Sequence, residues 1–130
     1  TELSSILSSD SKEINAIVIA VPAEQHAMVA EAALRANKHV FVEKPLALDV
    51  NQAIALAELA KQTDRILMVG HLLQYHPAFL KLQEIVHSGE LGELRYVYSH
   101  RLDFGKFFYP ENAMWNFAPH DLSMILSLLQ

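Results

Sequence analysis

The chain contains no cysteine, few glycines and no long apolar run. Without cysteine it can form neither disulfides nor thiolate metal sites. Its four glycines do not form a Gly-x-Gly-x-x-Gly loop, the element that holds a pyrophosphate at a helix amino terminus. No segment reaches the length of a membrane span, and the first residues carry no signal-peptide pattern. We therefore expect no membrane partner, and the cytoplasm is the default location.

Basic residues are also scarce, because ten Lys and Arg stand against fifteen Asp and Glu, a net charge of −5. Binding to nucleic acid needs a basic surface, so we expect no nucleic-acid partner. Apolar residues make up 52% of the chain and charged residues 19%, which is typical of a globular protein. A length of 130 residues suffices for one compact domain or for parts of two.

Three short apolar segments alternate with helical patterns in the first half of the chain. They cover Ala16–Val21, His39–Val42 and Ile66–Val69, and the first is apolar at every position, as in a strand covered on both faces. A helical pattern over Ala23–Lys38 follows the first segment, and Asp49 predicts the start of a second helix. Elements that alternate at this spacing predict right-handed parallel crossovers. The sequence thus predicts an α/β fold with part of a doubly wound parallel sheet.

The pattern changes after Gly70. Pro77 suits the first turn of a helix that runs to Ser88. Large side chains alternate over Glu93–Arg101, which predicts a half-exposed strand of a separate antiparallel or mixed sheet. A last helix is expected to begin near Pro119, with an apolar stripe that consists of Leu122, Ile125, Leu126 and Leu129. These features predict the start of a second α/β domain.

We accordingly divide the chain into two domains. Residues 1–75 are interpreted as the carboxyl-terminal part of the domain that carries the parallel sheet. Residues 76–130 are interpreted as the beginning of the second domain. A helix over Thr1–Ser11 and an aromatic loop over Asp103–Asn112 are also expected.

The strongest candidate site is the triplet Glu43-Lys44-Pro45, which directly follows a predicted strand. Pro45 cannot donate a hydrogen bond to a sheet, and it biases Lys44 towards an extended conformation. The lysine would then lie at the carboxyl end of a parallel strand, the edge of such sheets at which ligands bind. The alternative is that both charges belong to an ordinary solvated loop.

Four segments, in order, resemble motifs of the glucose–fructose oxidoreductase/inositol dehydrogenase/MocA (Gfo/Idh/MocA) family. They are Ala20-Val21-Pro22 with His26, Glu43-Lys44-Pro45, Gly70-His71 with Pro77, and the stretch from Trp115 to Asp121. The last is most similar to that of members that act on nucleotide-linked amino sugars, such as UDP-N-acetylglucosamine 3-dehydrogenases. Two positions depart from the family pattern, since Asn116 replaces an Asp and Ser123 stands where a later acid often lies.

The resemblance implies a Rossmann domain and an oxidoreductase that transfers a hydride between a nicotinamide cofactor, NAD or NADP, and a sugar hydroxyl. It also implies a small-molecule sugar or nucleotide-sugar substrate and a homo-oligomer in the full-length protein. Position by position, it assigns catalysis to Lys44 and His120. The cofactor edge would consist of Val21, Pro22, His26, Glu43, Lys44 and Pro45. Possible substrate contacts are Tyr75, Arg101 and Asn116.

Several of these residues have a second interpretation. His26 could be a surface helix residue, Arg101 a solvated strand end, and His120 a polar helix cap. A helix that begins near Pro119 would place His120 in its first turn, where the positive helix end disfavours a protonated ring. On that argument His120 is expected to be neutral near pH 7 and able to accept a proton.

Two other functions stay open at this point. A regulatory member of the same superfamily could bind nucleotide or sugar without turnover, or the chain could be an inactive truncated fragment. The missing glycine loop belongs to the first strand–helix unit of a Rossmann domain, so we expect this chain alone to bind NAD weakly and to be inactive. No metal is expected, because His71 and His76 are five residues apart and miss the i, i+4 spacing of paired helical ligands.

Overall fold

The computed structural model describes Leu7, residues 14–101 and residues 113–129. The chain divides into two compact units, residues 1–70 and residues 71–130. The expected loop over Asp103–Asn112 and, apart from Leu7, the expected helix over Thr1–Ser11 lie outside the described residues. None of the helices in the described ranges is long and apolar enough to cross a membrane.

Unit 1 (residues 1–70) contains a parallel sheet and two helices that pack on it. In chain order the elements are β1 (Ala16–Ile19), α1 (Ala23–Arg35), β2 (His39–Val42), α2 (Val50–Thr63) and β3 (Leu67–Val69). Strand β2 pairs with β1 on one side and with β3 on the other, both in parallel. The predicted α/β fold with neighbouring parallel strands is therefore confirmed, although β1 ends two residues before Val21.

Alternate strand residues face the helices and form the core of unit 1. Ile19 of β1 is in register with Val42 of β2, and Val42 with Val69 of β3. The buried members of this cluster are Ile19, Val29, Ala30, Ala33, Leu34, Val40, Val42, Leu56 and Ala60. Removal of these aliphatic side chains from water is the main stabilising contribution in unit 1.

The opposite face of the sheet is open at β1. Val18, which alternates with the core residues, is 72% exposed. The expectation that β1 is covered on both faces is therefore wrong for the described chain. The physical reason is that α1 and α2 contact each other and pack on the side of Ile19, so both helices cover the same face.

Local polar contacts define the helix ends in unit 1. Asp49 is the N-cap of α2, and its Oδ1 accepts the N–H groups of Asn51 and Gln52 at 2.9 and 3.1 Å. Asp64 ends the same helix in the left-handed conformation, with a φ of 52°. The predicted start of this helix is thus confirmed. The Lys44–Pro45 peptide bond, between β2 and α2, is cis.

Unit 2 (residues 71–130) is helical in most of its described residues. A 3₁₀ turn (Leu72–Tyr75) leads into α3 (Pro77–His87), and α4 covers Ala113–Leu128. The Nδ1 atom of His76 accepts the Ala78 N–H at 3.2 Å and caps α3, whose first turn contains the proline as predicted.

Residues Glu93–Arg101 do not form the predicted strand. The rings of Tyr96 and Tyr98 stack with centroids 6.3 Å apart, and Tyr98 contacts His100 at 5.3 Å. The alternation of large residues therefore places three rings on one side of the segment. A strand also needs a partner for its N–H and C=O groups, and none of the residues that the structure describes pairs with this segment.

Helix α4 begins at Ala113, not near Pro119, which lies inside the helix. The expectation was wrong because proline inside a helix is rare, so sequence patterns favour it as a helix start. The predicted apolar stripe is also wrong, since Leu122, Leu126 and Leu129 are exposed and Leu128 is buried. The helix turns Ser127 towards α3 instead, where its Oγ accepts a hydrogen bond from the Gln83 side chain.

Candidate functional site

Backbone hydrogen bonds join the carboxyl ends of the three strands. The Glu43 N–H donates to the carbonyl of Ile19 at 3.0 Å, and the Gly70 N–H donates to the last carbonyl of β2 at 2.8 Å. The triplet Glu43-Lys44-Pro45 therefore leaves the sheet from its middle strand. Lys44 lies at the carboxyl edge of a parallel sheet, as the sequence predicts, and it is partly buried. Its catalytic role stays a prediction.

Gly70 provides the space that the Glu43 side chain occupies. A Cβ atom at position 70 would lie 3.2 Å from Glu43 Oε2 and 3.4 Å from Phe41 Cζ. A side chain at this position would therefore require the Glu43 carboxylate to shift by a few tenths of an ångström. The sequence analysis placed Gly70 at a strand end and in a family motif but did not predict this contact, although a glycine directly after an apolar strand is a signal of close approach.

His26 connects two turns at this edge of the sheet. The side chain belongs to α1, and the residue is only 2% exposed. Its Nδ1 lies 2.6 Å from the Pro45 carbonyl oxygen, and its Nε2 lies 2.8 Å from the Val21 carbonyl oxygen. The interpretation of His26 as a surface residue is wrong, because α1 turns this position towards the sheet. The structure thus brings three predicted cofactor residues together, and their contact with a cofactor stays a prediction.

The amino end of α1 lies at the same edge, because the helix follows β1 after the turn at Val21 and Pro22. Pro22 is the N-cap and makes no side-chain capping bond, and its carbonyl accepts the Gln25 N–H at 2.9 Å. A helix amino end carries a partial positive charge that attracts anions. The helix end and the Lys44 ammonium are positive groups at this edge, and the Glu43 carboxylate beside Gly70 is a negative one. Binding of an anionic dinucleotide here stays a prediction.

In unit 2, His120 lies on α4 beside His71. Their ring centroids are 6.5 Å apart and their planes meet at 84°. Burial lowers the pKa of His71, so its neutral form is favoured. The argument that a helix amino end keeps His120 neutral is wrong, because His120 lies well inside α4 and the field of a helix end falls off within one turn.

Asp121, the next residue of α4, accepts three side-chain hydrogen bonds. Arg101 donates from Nε at 2.8 Å and from Nη2 at 3.0 Å, and Ser99 Oγ donates at 3.0 Å. The hydrogen bond from Arg101 is the main cause that lowers the pKa of Asp121, and the same bond raises the pKa of Arg101. Neither interpretation of Arg101 included this pair. Two features of the sequence could have indicated the pair. Asp121 is an acid directly beside the candidate base His120, and Ser99 and Arg101 are hydrogen-bond donors at alternate positions.

The other predicted substrate residues lie elsewhere in unit 2. Tyr75 ends the 3₁₀ turn and is exposed. Asn116 lies on α4, about one helical turn before His120. Their contact with a substrate stays a prediction. Within the described ranges of the chain, no group of three His, Asp or Glu side chains could hold a metal ion.

Comparison with known proteins gives matches that cover both units. A family model for an oxidoreductase family with an NAD-binding Rossmann fold (GFO_IDH_MocA) matches residues 1–71. The oxidoreductase YdgJ of Escherichia coli K12 is 36% identical over 127 residues, which cover 88% of this chain and 36% of that protein. The UDP-N-acetylglucosamine 3-dehydrogenase of Acidithiobacillus ferrooxidans is 32% identical over 117 residues, with coverages of 89% and 36%.

A solved structure has a similar fold. The crystal structure of an oxidoreductase from Klebsiella pneumoniae matches with a TM-score of 0.75 at 31% identity. The match covers 97% of this chain and 35% of that one. The chain therefore spans about a third of the length of the proteins it matches.

Proposed function

The chain belongs to the Gfo/Idh/MocA oxidoreductase family and its cofactor is NAD or NADP, and we propose that it forms part of the active site of a sugar dehydrogenase. The proposed reaction transfers a hydride between a sugar hydroxyl carbon and the nicotinamide. The proposed substrate is a nucleotide-linked amino sugar, a choice that the similarity to a UDP-N-acetylglucosamine 3-dehydrogenase supports. A homo-oligomeric enzyme belongs to the same proposal and rests on the family resemblance, whereas a cytoplasmic location is proposed only as the default.

The position of Lys44 is the observation that carries this proposal. The residue before it is bonded to β1 through the Glu43 N–H, and the residue after it is bonded to His26 through the Pro45 carbonyl. The backbone of Lys44 is therefore fixed on both sides, at the edge of the sheet where ligands bind in this fold. A merely solvated loop would need neither contact.

The chemistry requires a charge that is in place before the reaction begins. The nicotinamide, when bound, accepts the hydride. The Lys44 ammonium would bind the oxygen of the reacting hydroxyl and stabilise the alkoxide that forms as its proton leaves. Because the backbone already holds the lysine, this stabilisation costs little reorganisation during the step.

His120 is the proposed base, since a neutral imidazole can accept the hydroxyl proton. The structure supplies it with two partners in unit 2. The ring of His71, whose pKa burial lowers, packs edge-on against the His120 ring. Asp121 next to it is held as an anion by Arg101. The fixed carboxylate favours the protonated imidazolium that forms when His120 accepts a proton.

A chimera tests the proposed function. Residues 14–129 of this chain would replace the matching segment of the Klebsiella pneumoniae oxidoreductase, which supplies the remainder of an enzyme. Reduction of NAD⁺ and NADP⁺ would be followed with UDP-N-acetylhexosamines, inositols and free hexoses. We expect turnover, and the fastest turnover with the nucleotide sugars. Cofactor binding without turnover of any sugar would indicate a regulatory protein, and turnover of inositols alone would correct the substrate class.

A further inference from the structure

We propose that His26 is a positioning residue, which holds the turn of Lys44 by donating hydrogen bonds from both nitrogens of a doubly protonated ring. The protonation state follows from contacts within unit 1 alone. The effect on Lys44 rests on the proposed function as well. His26 itself would touch neither the reacting atoms nor the proton in transfer.

The chemistry of the two partners requires two ring protons. Both partners are backbone carbonyl oxygens, which accept hydrogen bonds and cannot donate them. The distances of 2.6 Å to Pro45 and 2.8 Å to Val21 are both within the range of a hydrogen bond. A neutral imidazole has one N–H group and one nitrogen with a lone pair. In one of these two contacts the lone pair would then face a carbonyl oxygen, which is repulsive and forms no hydrogen bond. Only a ring with a proton on each nitrogen satisfies both.

A buried cation needs compensation, and the two contacts provide it. His26 lies in the first turns of α1, where the positive helix end disfavours an added positive charge. Hydrogen bonds from an ionised donor are shorter and roughly twice as strong as neutral ones. The distance of 2.6 Å to the Pro45 carbonyl lies at the short limit for an N–H donor. The two short contacts therefore favour the cation over the neutral ring.

The position of His26 gives this cation a structural effect at the site. Val21 lies in the turn between β1 and α1, whereas Pro45 directly follows Lys44. The ring therefore bonds the two turns of the predicted cofactor edge to one helix. That helix is held rigidly, since its residues Ala30 and Leu34 are fully buried against the sheet. His26 thus couples the backbone at Lys44 to the rigid core of unit 1.

Nuclear magnetic resonance of the chain with ¹⁵N-labelled histidine tests the protonation state at neutral pH. The resonances of His26 are recognised by nuclear Overhauser contacts to Val21 and Pro45, so no variant is needed. We expect a slowly exchanging proton on each ring nitrogen. The exposed His87 is the control and should show no protected ring proton. A His26 ring with a proton on only one nitrogen would overturn the proposal, independently of the catalytic activity of the chimera.

A double-mutant cycle in the chimera tests the positioning role. His26→Gln should lower kcat by about 10-fold to 100-fold, the scale for a small misplacement of a catalytic group. In a Lys44→Met background the same substitution should cause almost no further loss, because its effect acts through Lys44. Equal losses in both backgrounds would overturn the positioning role. A chimera without any activity, combined with two protected ring protons, would refute the proposed function and leave the protonation state established.

Discussion

Unit 1 and unit 2 enclose their apolar residues to different degrees. In unit 1 the strands and both helices contribute to one buried cluster that includes Ile19, Leu34 and Val42. In unit 2, Phe79 is buried, whereas Leu126 is 60% exposed on α4. The candidate residues of unit 1 are therefore attached to a closed frame. Those on α4 are attached to a helix with an open apolar side.

The difference shows when a sequence pattern is sufficient to predict structure. Each strand of unit 1 pairs with the next strand of the same stretch, so the pattern and its partner occur together. The segment Glu93–Arg101 has the pattern of a strand, but the described residues offer it no partner. A local pattern therefore predicts an element well only where the partner that it needs is close in the sequence.

The largest expected effect compares a buried leucine of unit 1 with an exposed leucine of unit 2. The quantity compared is the loss in free energy of unfolding when each is replaced by alanine. Leu34→Ala removes a fully buried side chain from the core of unit 1 and should lower the free energy of unfolding by about 2–5 kcal/mol. Leu126→Ala on α4 is the control and should change it by less than about 0.5 kcal/mol. Urea denaturation of the chain measures both. Similar losses would mean that Leu126 is covered in solution and that the two units are equally closed.

The next effect tests whether the rigid edge of unit 1 carries the catalytic charge. Lys44→Met in the chimera should reduce kcat by about two to three powers of ten, the scale for loss of one preorganised group, with little change in cofactor affinity. Lys61→Met, in the exposed last turn of α2, is the matched control and should leave kcat unchanged. Turnover within a factor of two of the parent would return Lys44 to the solvated-loop interpretation.

A third experiment asks how much of the cofactor unit 1 can hold. The chain has no glycine loop to bind the pyrophosphate, and loss of two hydrogen bonds to a charged group, at about 1.5 kcal/mol each, corresponds to roughly 100-fold in affinity. Calorimetry should therefore give a Kd for NAD at least about 100-fold higher for the chain than for the chimera. Equal Kd values would show that the dinucleotide is held by other groups than we suppose.

A smaller effect concerns the ion pair of unit 2. The folded state lowers the pKa of Asp121, so its stabilising contribution is present above the unfolded pKa of about 3.9 and is lost as the pH falls through the lowered value. Asp121→Asn should cost about 1 kcal/mol at pH 7, and the difference from the parent should shrink below about pH 4. The exposed pair of Lys81 and Glu84 supplies the control Glu84→Gln, which should cost less. A pH-independent difference would contradict the pair's role.

The smallest expected effect concerns His71. Because burial lowers its pKa below the ordinary 6.5, the folded state resists protonation of this ring. Stability should therefore be constant above about pH 6.5 and fall by a fraction of a kcal/mol as the pH drops through the lowered value. His71→Gln should remove this part of the acid decline, whereas His87→Gln, on an exposed residue, should keep it. An unchanged decline in the first variant would place the titrating group elsewhere.

Much of unit 1 is predictable from the sequence because its signals are local. The apolar segments and Asp49 indicate the strands and the start of α2 without knowledge of the rest of the fold. The triplet with Lys44 likewise follows from a strand that ends at proline. The position of the triplet at the carboxyl edge can be predicted once the strands are known to be parallel, and the spacing of the crossovers predicts that they are.

The contacts that support the site are less predictable. The ring of His26 meets Pro45, 19 residues away, and this contact depends on how α1 lies against the sheet. The pair of Arg101 and Asp121 spans 20 residues and depends on the course of the chain between them. Pro119 misleads for another reason, since the cost of a proline inside a helix can be outweighed by packing that no local pattern shows.

The sequential order of the three described strands of unit 1 means that their pairings can form in the order of synthesis. Strand β1 pairs with β2 and β2 with β3, so each of these two pairings joins strands that are neighbours in the chain. Each crossover closes a short loop, so the entropic cost of each pairing is modest. We expect folding intermediates on the ribosome to add one strand at a time, with α1 already formed when β2 emerges.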